Sequence, residues 1–216
     1  MNNDRLLQIM EDLDACSDAS AWVRDTLAGN TPEEVWNSCP RGDWLVWLIS
    51  ELYVQRWIRH RVLVQAACAA ARTTLEDFTD EAEHDDAVKT LDAVEAYGKD
   101  PSNVAARDAI PLRFMLTVAA PHRLCERRQY SLWSVSSAVE TVCGDWNDEA
   151  VRQIANAAQD TCSRRRGPDW HHAQQLTADA VRAVVPWAEV EAALAKYVLP
   201  PWSAVWAGVQ KAGLAP

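Results

Sequence analysis

The segment Asp43-Trp44-Leu45-Val46-Trp47-Leu48-Ile49-Ser50-Glu51-Leu52-Tyr53 is apolar at most positions and contains no glycine or proline. As a helix it presents apolar surface on almost every face, so it is stable in water only when other helices surround it. Its longest apolar run, Trp44 to Ile49, is also far short of the roughly 20 residues a bilayer requires. The segment therefore predicts a central helix wrapped by the rest of the chain.

The rest of the chain can supply the wrapping. Glycine numbers only 7 in 216 residues, alanine is abundant and β-branched clusters are short, a composition that favours helix. Residues 4–28 carry apolar side chains at helical spacing, predicting two helices that meet around Asp14 to Ser17 and are closed by Gly29. Thr31-Pro32-Glu33-Glu34 reads as a capped helix start running to about Ser38, and Asp43 as the cap of the central helix.

Arg61 to Phe78 predicts an alanine-rich, closely packed helix ending in an acidic connector over residues 76–86. A helix through Val88, Leu91, Val94 and Tyr97 follows, with Asp85 and Asp86 at its positive end and Gly98 as its stop. Ser102 caps a helix to about Ala120, Pro121 starts one to about Cys143, and Asn147 or Asp148 opens one to about Cys162. Further helices cover Ala173 to Val185 and Ala188 to Tyr197, followed by a tail with Trp202 and Trp206. The expectation is one all-α domain over 1–216, a compact bundle of roughly ten helices with short loops. Residues 98–102 are the one place for a subdivision.

The 31 acidic against 21 basic side chains give a formal charge of −10, which argues against general attraction to nucleic acid or anionic lipid. The charge is uneven, with −8 of it falling on residues 73–100. The opening MNNDRLLQIMEDLDAC has no basic stretch followed by an apolar one, so a cytoplasmic protein is expected. The six cysteines form no CxxC pair and read as reduced thiols. No GxGxxG, P-loop, GxSxG or HExxH is present, and neither cofactor nor metal is predicted.

Residues 36–110 carry a set of motifs: Trp36, Cys39, then Arg41-Gly42-Asp43-Trp44-Leu45 with Trp47 and Leu48, and an Ala67-Cys68 to Ala71-Arg72 helix. Near the end, Leu176, Ala178, Asp179, Val181, Arg182 and Pro186 continue the pattern. The chain thereby resembles an alanine-rich helical family of phages and bacteria labelled immunity proteins. It departs from that family at Asp85-Asp86-Ala87, where the family has Asp-Arg-Pro, and at Tyr97, where it has Trp. The resemblance implies an intracellular helical protein, plausible on a phage or mobile element, that acts by contact and brings no catalytic residue.

Two places are candidates for contact. The acidic stretch, with Asp77, Asp80, Glu81, Glu83, Asp85 and Asp86, presents the field of a phosphate backbone and favours a basic surface; as plain structure it is a solvated loop with helix caps. Trp202 and Trp206 lie one helical turn apart in an apolar tail that docks on its own core, covers a partner or forms a homodimer. Trp22, Trp36, Trp44, Trp47 and Trp57 lie in the densest apolar region and are expected in the core.

Three basic clusters (Arg56 with Arg59, His60 and Arg61; Arg123 with Arg127 and Arg128; Arg164 to Arg166) are expected to serve the acidic patches within the molecule. His171 and His172 are about 100° apart on a helix and do not form a metal pair. The expected function is a non-enzymatic inhibitor of a protein or nucleoprotein effector, either a toxin or a host defence complex. The alternatives are a metal-dependent helical phosphohydrolase using His60 with His84 and Asp85, and a self-assembling accessory protein.

Overall fold

The computed structural model of the protein describes residues 1–111, 126–143 and 170–198. Residues 112–125 of the helices expected from Ser102 to about Ala120 and from Pro121 to about Cys143, the helix expected from Asn147 or Asp148 to about Cys162, the arginine clusters at 123–128 and 164–166, and Trp202 with Trp206 lie outside the described residues or side chains. Among the described residues there are ten α-helices and no strand: α1 Asn3–Asp12, α2 Ser17–Leu27, α3 Pro32–Ser38, α4 Gly42–Val54, α5 His60–Arg72, α6 Glu81–Lys99, α7 Val104–Asp108, α8 Glu126–Cys143, α9 Trp170–Val184 and α10 Trp187–Leu194. No helix among them is long and apolar enough to cross a membrane.

The architecture follows from the apolar α4, whose Leu45, Val46, Leu48, Ile49 and Leu52 are all buried. It packs against α5, α9 and α10, and one apolar cluster joins it to α1, α2 and α3. Trp36 is fully within this cluster, and Trp22, Trp44, Trp47 and Trp57 pack half-buried on it, in keeping with the expected core role. A second cluster joins α5, α6 and α8 through Val64, Cys68, Leu91, Val94, Val135 and Val139. Helix α5 faces both clusters and packs on α4, α6, α8 and α9. Its Ala66, Ala67, Ala69, Ala70 and Ala71 are all buried, allowing neighbours to approach closely on several sides.

Local chemistry sets most of the boundaries. Gly29 takes a positive φ of 99° after α2, as its place beyond the helix end requires. Helix α3 starts with a full capping box: Thr31 Oγ1 accepts from the Glu34 amide at 3.3 Å, and Glu34 accepts from the Thr31 amide at 2.7 Å.

Four expected boundaries are corrected. Helix α5 ends at Arg72 rather than Phe78, because the hydroxyls of Thr73 and Thr74 donate to the Ala70 and Ala71 carbonyls at 2.7 and 2.8 Å; a short 3-10 turn, Leu75–Asp77, follows. The acidic stretch is not wholly a connector, since α6 already begins at Glu81. Its cap is Asp80, which accepts from the Glu83 amide at 2.9 Å, so Asp85 and Asp86 stand beyond the first turn and are not the capping acids. Helix α7 is capped by Asn103, not Ser102, and ends at Asp108, just before Pro111, which keeps the preceding residue out of helix.

Gly98 does not stop α6. The helix runs on to Lys99 and ends at Asp100 before Pro101. Gly98 is buried inside it, and an added Cβ would lie 2.6 Å from Val64 Cγ1 of α5. Gly98→Ala is expected to cost about 1 to 3 kcal/mol through this clash. In a Val64→Ala background the penalty should shrink, because the obstruction is a side chain. A double-mutant cycle by urea denaturation measures it, and additivity would show that the glycine is not there for the close approach.

Candidate functional site

Two constellations stand out, one at the start of α6 and one at the start of α4. Residues 76–86 hold seven carboxylates and no lysine or arginine. Asp80, Glu81 and Asp85 are exposed, while Asp77, Glu83 and Asp86 are half-buried. Asp77 is tied to the core, accepting from Ser131 Oγ of α8 at 3.0 Å, and Asp80 is the helix cap. The six predicted residues therefore divide: Asp77 braces the 3-10 turn, and the other five line the N-terminal end of α6. Farther along the same helix, Asp92 and Glu95 both pair with Arg72, whose guanidinium lies 2.6 and 3.1 Å from them. The densest run of carboxylates thus lies at the start of α6, with several of its members partnered within the fold.

The second constellation surrounds Asp43, which is not the helix cap. Arg41 holds the capping position of α4 without a side-chain cap, and Asp43 is a first-turn residue whose side chain is fully buried. Arg41 closes on it in a fork, with Nε donating to Oδ1 at 2.8 Å and Nη2 donating to Oδ2. That bond to Asp43 is the main reason the Arg41 pKa is raised. The same guanidinium lies between two indoles, 4.5 Å from the Trp44 ring and 4.6 Å from that of Trp170.

The orphan amide of Asp43 is capped from a distance, donating to Oε1 of the fully buried Gln174 at 3.2 Å. Arg182 completes the brace by donating to the Cys39 carbonyl at 2.6 Å and reaching Asp179. Gly42 is needed at this junction, because a Cβ there would lie 2.5 Å from Thr177 Cβ and 2.8 Å from the Ala178 amide nitrogen. The residues at 36–48 and 176–186 that carry the motifs meet at this point. Trp170 and Gln174 were not anticipated; their partners are more than a hundred residues away, and nothing local marks them.

No family model, curated protein or solved structure matches the chain.

The remaining candidate residues have structural partners. His60 Nε2–H donates to the Thr141 carbonyl at 2.6 Å, joining the start of α5 to α8, and its ring lies 5.7 Å from that of Tyr53. His84 stands on α6 beside Asp85, with Nδ1 3.8 Å from its carboxylate. Among the described residues no group of three or more His, Cys, Asp or Glu side chains could hold a metal ion. In the first basic cluster, Arg61 pairs with Glu189 at 3.2 Å, an internal partner of the expected kind but on α10 and not in the acidic stretch. Burial pushes the Cys39 thiol up to about 11, and burial also raises that of Cys68, so both are inert at neutral pH.

Burial lowers the His60 pKa below its ordinary 6.5, against the opposing pull of the Thr141 carbonyl. The unfolded chain then takes up a proton that the folded one does not. Stability is undiminished above pH 6.5 and falls as pH drops below it, levelling off beneath the folded pKa. His60→Gln should have a smaller loss of melting temperature between pH 7.5 and 5.5 than the parent; an equal loss would place the acid sensitivity elsewhere.

Proposed function

We propose that the protein is a non-enzymatic binder, immunity-like or phage anti-defence in kind, that neutralises a protein or nucleoprotein effector by covering it with acidic surface. It would act in the cytoplasm, that of the host cell if it is phage-borne. The observation that carries this reading is the placing of Asp80, Glu81, Glu83, Asp85 and Asp86 together at the N-terminal end of α6, with no lysine or arginine in that stretch. Closely spaced carboxylates attract a basic surface and speed encounter with it. The resemblance of 36–110 and 175–186 to immunity-labelled proteins supports the same reading.

The test is capture by the tagged protein from a lysate of the organism that encodes it, with nuclease treatment, beside a variant carrying Asp80→Asn, Glu81→Gln, Glu83→Gln, Asp85→Asn and Asp86→Asn. Asparagine at 80 preserves the cap, and Asp77 is left intact because it holds Ser131. The parent should retain one specific protein or complex that the variant loses, at nearly the same melting temperature. Retention by both would overturn the acidic surface as the contact.

A further inference from the structure

We draw no further inference here: the strongest candidate, the apolar cavity of about 50 Å³ among α1 to α4 and the start of α10, walled by Trp22, Trp36, Trp44 and Trp187, is smaller than the roughly 150 Å³ that admits an aromatic ring, and nothing in the structure shows what fills or covers it.

Discussion

Gly42→Ala is expected to destabilise the protein by about 3 kcal/mol, a large effect for one methyl group. The added carbon would fall 2.5 Å from Thr177 Cβ and 2.8 Å from the Ala178 amide nitrogen, far inside any normal contact. Neither atom is the end of a flexible side chain, so relief requires α4 and α9 to separate. Separation would loosen the bond from the Asp43 amide to Gln174 and the grip of Arg182 on the Cys39 carbonyl. Thr177→Ala should therefore fail to rescue the variant, in contrast with the rescue of Gly98→Ala by Val64→Ala. Urea denaturation of the single and double variants measures both; rescue at 42 would show that the backbone is not what obstructs.

Asp43→Ala should have a comparable effect, about 3 kcal/mol, the usual cost of removing one member of a buried ion pair. Loss of a helix cap alone would cost only about 1 kcal/mol, so the size of the effect separates the two roles. Asp43→Asn should lie between them, since the amide oxygen still accepts from Arg41 but without charge. Arg41→Lys should not behave as a conservative change, because an ammonium has neither the planar fork that meets both carboxylate oxygens nor the flat face set between Trp44 and Trp170. Near-wild-type stability in Asp43→Ala would mean the pair is dispensable.

Several elements were legible because the chemistry that decides them is local. The apolar α4, the capping box at Thr31 and Glu34, and the break between α1 and α2 are determined by residues a few positions apart. Reading failed at some local signals, such as the Thr73 and Thr74 hydroxyls that end α5, and also where a distant partner decides. Asp43 has the composition of a cap, but Arg41, Trp170 and Gln174 together convert it into a buried anion. Gly98 has the composition of a helix stop, yet its lack of a side chain serves contact with Val64. The acidic cluster was legible as charge, but which of its members are occupied, such as Asp77 with Ser131, depends on α8.

The position of α5 between two cores has a consequence for how the chain can vary. A surface helix tolerates change on one side, and an ordinary core helix answers to one interior. On α5, Leu63 and Ala66 face one interior while Val64, Ala67 and Cys68 face the other, so an enlargement at either set displaces a different group of neighbours. Variants with larger residues at 66–71 should therefore be rare among folded homologues, whatever happens at the surface of α6, and the alanine content of this stretch is the imprint of two simultaneous fits.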